Sequence, residues 1–280
     1  MKIIYIASAA HSGSTLLDLM LNAHSRIVTV GEIKKLALYT RGYKAHKRCT
    51  CGSRSVLQCP FWNEVGAAIA ELSPGRTLAD LDVDSDKDLG TFHADNRLLF
   101  QAVGKVSGAD IIVDSSKSRG RLEMLLATPG LEVFPVFLVR NPKGQILSLS
   151  RSAERKKKES AADFGKFISN YSIMNVAIHQ LLRRRPHFKV RYEQLVQRPA
   201  EVLSSLMTWI GVEYEPQQLN FADHERHNID GNRMRRHSSS EIRLDDSWRR
   251  ELNLIQKITI DIGTLPGRFP FLTRRGRAGN

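Results

Sequence analysis

Residues 7–18, Ala-Ser-Ala-Ala-His-Ser-Gly-Ser-Thr-Leu-Leu-Asp, set small and hydroxyl-bearing side chains after an apolar run and at the start of another. The first run, Ile3-Ile4-Tyr5-Ile6-Ala7, reads as a strand, and residues 15–21 read as a helix. The backbone N–H groups of such a turn and the positive end of the helix converge on an anion. A loop built for nucleoside triphosphates reads G-x-x-x-x-G-K-[ST], with Lys on the β/γ-phosphates and the Ser/Thr hydroxyl on magnesium. Here the matching stretch runs from Ser8 to Gly13-Ser14-Thr15, so Ser14 stands where the Lys belongs. Losing the Lys weakens phosphoryl transfer, and no second motif supplies a metal-holding Asp after a strand. An anion nest with the hydroxyls of Ser12, Ser14 and Thr15 suits a donor cradled without a metal.

Four other groupings stand out. Arg140-Asn141-Pro142 closes an apolar run, and Ser148 follows on the next helical stretch. A guanidinium fork and a hydroxyl together make an anion grip. Ser115-Ser116-Lys117 follows the run 110–114, which puts Lys117 just past a strand's carboxyl end, where open α/β sheets gather their ligands. Glu32 follows Gly31 and reads on its own as a helix N-terminal acid stabilised by the dipole. Cys49, Cys51 and Cys59 are the only cysteines, with His46 just upstream. An odd count excludes a disulfide scaffold. They read as structural or free thiols, with a redox-sensitive pair as the alternative. A metal set completed by His46 is disfavoured, because the Cys-x-Cys-x7-Cys spacing does not close a tetrahedral site readily. No metal is expected.

The elements that must position these residues alternate. Strands are predicted at 2–7, 27–30, 110–114, 133–139 and 188–191. Helices are predicted at 15–23, 60–72, 87–106, 119–127, 143–155, 163–184, 200–210 and 247–260. That order predicts an α/β fold in three layers, a central parallel sheet flanked by helices. One domain is expected over 1–262, with a Cys-containing loop at 40–60, a polar ligand-covering loop at 222–245 and a surface tail at 263–280. The run Arg155-Lys156-Lys157-Lys158 reads as a solvated helix end. The chain has 280 residues, 41% of them hydrophobic, and a formal charge of +13. Such a charge concentrates anionic ligands, though it also serves solubility. No apolar run reaches the ~18 residues a membrane span requires. The first ten residues mimic a signal peptide only superficially, because their apolar run is short and continues into the phosphate loop. A cytoplasmic location is therefore expected.

Taken in order, the motifs resemble those of the sulfotransferases that use 3′-phosphoadenosine 5′-phosphosulfate (PAPS). The nearest patterns are those of protein-tyrosine and carbohydrate sulfotransferases, and the type is bacterial. Val190-Arg191-Tyr192-Glu193-Gln194-Leu195 is similar to the family's Tyr-Glu-x-Leu element, and Gly231-Asn232-Arg233-Met234-Arg235 resembles its Gly-Asn-x-x-Arg element. The likeness runs over residues 2–255 and implies a P-loop-like α/β fold. It implies that Ser12, Gly13, Ser14 and Thr15 hold the phosphosulfate and that Arg140 and Ser148 grip the donor's 3′-phosphate. By the same likeness Tyr192 lies against the nucleotide, and the loop of Asn232 and Arg235 closes over the 3′-phosphate. Trp248 and Leu252 fit the helix after that loop.

The resemblance further implies that Glu32 takes the acceptor's proton, with Asp114 and Ser116 in reserve as the base. Lys117 contacts the transferring group, and His11 helps hold the sulfate end, where its charge depends on pH. PAPS is the implied donor and 3′-phosphoadenosine 5′-phosphate (PAP) the implied product. The acceptor is expected to be a small molecule, glycan or peptide rather than a nucleic acid, and a homo-oligomer stays open. Acceptor selection is expected to lie in 38–106 and 222–245. A noncatalytic nucleotide- or polyanion-binding protein and a P-loop kinase are the competing readings.

Overall fold

The computed structural model describes residues 1–84, 88–155, 164–236 and 239–272. The strands are β1 (Lys2–Ser8), β2 (Ile27–Thr29), β3 (Ile111–Asp114), β4 (Glu132–Val139) and β5 (Phe188–Arg191). They form one parallel five-stranded sheet in the order β2-β3-β1-β4-β5. Near-continuous apolar sequence explains why: β1 and β3 are buried along almost their whole length, as strands covered on both faces must be. All five predicted strands are present, each within a residue or so of its expected ends.

The chain divides into two compact units, each assembled from three stretches of sequence. The first comprises Met1–Ile6, Thr15–Pro135 and Glu213–Ser240. Its helices are α1 (Ser14–Asn22, Ser14 excepted), α2 (Leu36–Thr40), α3 (Pro60–Leu72), α4 (Leu89–Ser107) and α5 (Arg119–Leu126). The ends of α4 are encoded locally. The Asp88 carboxylate accepts the Gly90 N–H, and Gly108 closes the helix in the left-handed region at φ 68°. Strand register then sets the level of the loops. Tyr5 lies opposite Asp114, and Thr29 lies opposite Val113. Residues 30–32 and 115–117 therefore leave the sheet side by side.

The second unit comprises Ala7–Ser14, Val136–Val212 and Glu241–Asn280. Its helices are α6 (Pro142–Arg155), α7 (Phe164–Leu182), α8 (Tyr192–Gln197), α9 (Pro199–Ile210), α10 (Trp248–Glu251), α11 (Leu254–Gly263) and α12 (Leu265–Leu272). Ile146, Leu147, Phe167, Ile168, Leu252 and Ile260 form one apolar cluster, with Trp248 packed against it. In β4 and β5, Val139 lies opposite Arg191. The two residues that follow, Arg140 and Tyr192, thus start from the same level.

Two sequence expectations are corrected. The helix expected over 247–260 is two helices, because Asn253 accepts the Gln256 N–H and Gln256 returns a bond to the Asn253 N–H, a capping box that starts a new helix. The tail expected to be a surface-wrapped or frayed end from 263 instead enters a helix at Leu265–Leu272. Gly267 permits this, since a Cβ there would come within 2.8 Å of the Ser172 backbone. Residues 156–158 of the basic run and 273–280 of the tail lie outside the described residues. No described helix is long and apolar enough to cross a membrane.

Candidate active site

In the second unit the phosphate-type loop is tied down at His11 and Ser12 and closely packed at Gly13. His11 and Gly13 both adopt positive φ, 63° and 95°. Alternation of this kind turns successive N–H groups toward one side of the loop. Glycine is required at 13 for a second reason: a Cβ there would meet the Tyr192 ring at 2.4 Å. The Ser12 hydroxyl donates to Gln145 Oε1 at 3.1 Å. His11 Nδ1 lies 2.8 Å from Ser148 Oγ. Gln145 and Ser148 are one helical step of three apart on α6, so one face of that helix grips two loop residues.

Arg140 completes the arrangement. Its Nη1 donates to the His11 carbonyl at 3.2 Å, and its Nη2 donates to Asp245 Oδ2 at 2.9 Å. The guanidinium lies 4.4 Å from the Tyr192 ring centre, a stacking contact that fixes its plane. Tyr171 OH donates to the Arg140 carbonyl at 3.2 Å. His11, Ser12, Gly13, Arg140, Ser148 and Tyr192 therefore meet in one place. Gln145 and Asp245, which the sequence reading omits, meet them too. The spacing of Gln145 and Ser148 on one helix was the available signal for the former. Ser14 is buried as the first residue of α1, and Thr15 next to it is half-buried.

The first unit holds a different constellation. Ser115 N–H donates to the Gly31 carbonyl at 2.9 Å, which joins the two loops leaving β2 and β3. Glu32 Oε1 accepts from Lys117 Nζ, and Glu32 Oε2 pairs with Lys35 Nζ. Lys35 Nζ also lies 3.0 Å from Asp230 Oδ2, which Lys44 Nζ engages as well. Burial pushes the Glu32 carboxyl up, but the charges of Lys117 and Lys35 outweigh it and hold the group below the usual carboxylate range. Glu32 is thus ionised at neutral pH and set between two cations. Lys117 sits at φ 65°, a conformation uncommon for a residue with a Cβ and often retained at functional sites.

The backbone of Glu32 is fixed from the loop before Asp230. Its N–H donates to the Ile229 carbonyl at 2.7 Å, and Ile229 N–H donates to the Val30 carbonyl at 2.9 Å. Gly31 allows that approach, because a Cβ there would meet the Ile229 carbonyl at 2.5 Å. Asn232 and Arg235 belong to the same loop. Asn232 Oδ1 accepts the Met234 N–H at 3.2 Å, and the buried Arg235 donates to the Asn228 carbonyl at 3.4 Å. These contacts hold the loop's own shape.

The reserve bases are committed elsewhere. Asp114 is fully buried and accepts from Arg121 Nε at 2.7 Å and from the Ser116 N–H at 2.9 Å. Arg121 Nη2 in turn donates to Asn96 Oδ1 at 2.7 Å. Ser116, also fully buried, accepts the Lys34 N–H at 3.1 Å. Both groups work inside the scaffold. The cysteines are brought together, but with a partner the sequence reading did not foresee. Cys49, Cys51 and Cys59 meet His227, in place of His46, with the sulfurs and a ring nitrogen all within 4.8 Å of one another.

Residues 4–216 match the model of a family described as "Sulfotransferase family". Among solved structures, the sulfotransferase domain of the curacin biosynthetic pathway is similar at 20% identity and a TM-score of 0.61, covering 93% of this chain and 97% of that one. The sulfotransferase domain of the Synechococcus PCC 7002 olefin synthase gives 20% identity and a TM-score of 0.59, covering 93% of each chain. A mouse sulfotransferase complexed with PAP gives 10% identity and a TM-score of 0.53, covering 94% of this chain and 82% of that one. At these identities the structural likeness bears on the fold. No curated protein matches the chain.

Proposed function

Because the chain belongs to the sulfotransferase family, we propose that it moves a sulfuryl group from PAPS to an acceptor hydroxyl and releases PAP. The observation that carries this reading is the loop of Ser12, Gly13 and Ser14, with Arg140 and Ser148 both reaching His11. It offers amides, hydroxyls and one planar cation to a donor's phosphates, and it lacks the lysine of a triphosphate loop. That a similar fold is known in complex with PAP agrees with this donor.

For the transfer, Glu32 takes the proton of the acceptor hydroxyl while its oxygen attacks sulfur. The bond from sulfur to the phosphate oxygen breaks, and the electron pair leaves on that oxygen. Lys117 supplies the positive charge that meets it. Both Glu32 oxygens are occupied by ammonium groups at rest. In this mechanism Lys117 exchanges Glu32 Oε1 for the leaving oxygen. That movement frees the lone pair needed for the proton and removes the charge that keeps Glu32 weakly basic.

The test is thermal stabilisation by PAP against ATP with magnesium, followed by a screen of hydroxylated metabolites, glycans and peptides with labelled PAPS. Stabilisation by PAP and label transfer to one acceptor class support the reading. Preference for magnesium-ATP refutes it in favour of a kinase, and PAP binding without transfer to any acceptor makes the chain a binding protein.

A further inference from the structure

We propose that Cys49, Cys51, Cys59 and His227 form a closed structural zinc site. Three sulfurs and His227 Nδ1 lie mutually within 4.8 Å, and Cys49 and Cys59 are buried. Cys51 Sγ is 3.5 Å from Cys59 Sγ, and Cys59 Sγ is 3.2 Å from His227 Nδ1. Zinc bonds of about 2.3 Å to sulfur and about 2.0 Å to nitrogen give tetrahedral edges of roughly 3.5–3.8 Å, so the four atoms need only small shifts to close on an ion.

The backbone around the sulfurs is shaped for the task. Cys49 N–H donates to the Ser53 carbonyl at 3.0 Å and Gly52 N–H to the Cys49 carbonyl at 3.2 Å. With Gly52 at φ 98°, this turn carries two cysteines to one side. Cys59 is the residue that caps α3, so the start of that helix fixes the position of its sulfur.

His227 is held as a ligand is held. The Phe61 ring stacks on its imidazole at 4.6 Å and 7°. Trp62 Nε1 donates to its carbonyl at 2.7 Å. The nitrogen left over, Nε2, lies 3.6 Å from the carboxylate of Glu225, on the side away from the sulfurs where a metal-bound imidazole finds its outer partner. Four protein ligands leave no open position, so the ion's role is mechanical.

What the ion would hold is the segment that fixes Glu32. Thr50, between two of the cysteines, donates to the Arg226 carbonyl at 2.6 Å and accepts the Asn228 N–H at 2.9 Å. Ile229 follows with its bond to the Glu32 N–H, and Asp230 with its pairs to Lys35 and Lys44. The site thus fastens a loop near residue 50 to the loop near residue 228.

The experiment is metal analysis of the full, untagged chain purified under reducing conditions. About one zinc per chain is expected, released by a mercurial thiol reagent. Protein stripped of metal and titrated with cobalt(II) alone should show thiolate charge-transfer bands with intense tetrahedral ligand-field absorption. Cys59→Ser and His227→Ala should each hold under about a tenth of an equivalent, while His46→Ala keeps the full amount. If both variants fail to fold, the cobalt titration of the wild-type chain decides alone. Wild type with under a tenth of an equivalent and no cobalt bands overturns the proposal, as does a Cys51–Cys59 disulfide in the intact mass. Full zinc retained by His227→Ala, or zinc lost by His46→Ala, overturns the ligand set.

Discussion

Asp18, on α1, is buried with 2% exposure and receives the Asn228 amide, which also donates to Thr29 Oγ1 at 3.1 Å. Burial pushes its carboxyl up to about 7, and hydrogen bonds from Ser115, Asn228 and Thr29 together with the charge of Lys117 offset only part of that. The gap from the ordinary value of 3.8 to about 7, at about 1.4 kcal/mol per unit, makes the ionised carboxylate cost about 4 kcal/mol relative to the unfolded chain. Since the folded value is raised, the folded state binds the proton more tightly. The stability this group contributes is whole below the unfolded value and is lost as pH rises through about 7.

Between about pH 5 and about pH 8 the wild-type chain should lose roughly 2.5 kcal/mol through Asp18 alone. Asp18→Asn keeps an acceptor for Asn228 and cannot ionise, so its stability should not carry that loss. Urea unfolding of both proteins at the two pH values isolates the effect, because contributions from other groups cancel in the difference. The variant should gain on wild type by roughly 2.5 kcal/mol over the window. A difference that changes by less than about 0.5 kcal/mol refutes the claim that Asp18 is buried uncharged near neutrality.

Glu32→Gln should lower sulfuryl transfer by about 10²–10⁴-fold with PAP affinity within about twofold of wild type. Because Glu32 lies below the usual carboxylate range, kcat/KM should show no Glu32-dependent fall until pH drops below that range; a steep loss between pH 6 and 7 that Glu32→Gln abolishes would contradict the assignment. Gly13→Ala places a methyl 2.4 Å from the Tyr192 ring on a backbone at φ 95°, and should cost about 1–3 kcal/mol with at least a tenfold loss of PAP affinity by calorimetry. Asp114→Asn strips the charge from the buried Arg121 pair and should cost about 3–5 kcal/mol in urea. Unchanged stability with abolished transfer would return Asp114 to the role of base.

The parts of the site that the sequence makes legible are those delivered by strand ends. A parallel sheet puts consecutive loops at one level, so the runs ending at 139 and 191 bring Arg140 to Tyr192, and those ending at 29 and 114 bring Gly31 to Ser115. Composition and spacing suffice for that inference, because register along a buried strand is set by its apolar sequence. His227 and Asp230 had no such signal. They reach Cys59 and Lys44 from 168 and 186 residues away, on a loop whose path depends on side-chain contacts rather than on a period. The break at Asn253 was readable, since Asn followed three residues later by Gln is a capping box.

The loop from His227 to Arg235 reads from its polar composition as ligand-covering, yet four of its residues each do a separate positional job. Asn228 is hydrogen-bonded to Asp18, Ile229 to Glu32, Asp230 is paired with two lysines, and Arg235 returns to Asn228. Polar side chains here substitute for an apolar core: they fix a backbone that no helix or strand fixes, at the cost of demanding a partner for each group. The contacts of Asp18 with Asn228 and of Cys59 with His227 thus bear on the same short backbone that donates to and accepts from residues 30–32. Its three-lysine, two-carboxylate set also carries a net positive charge, the sign that an anionic donor requires. Glu32 and Lys117, the residues proposed as base and cation, are therefore held in one electrostatic unit, so that withdrawing Lys117 would remove a charge that holds the Glu32 carboxyl down.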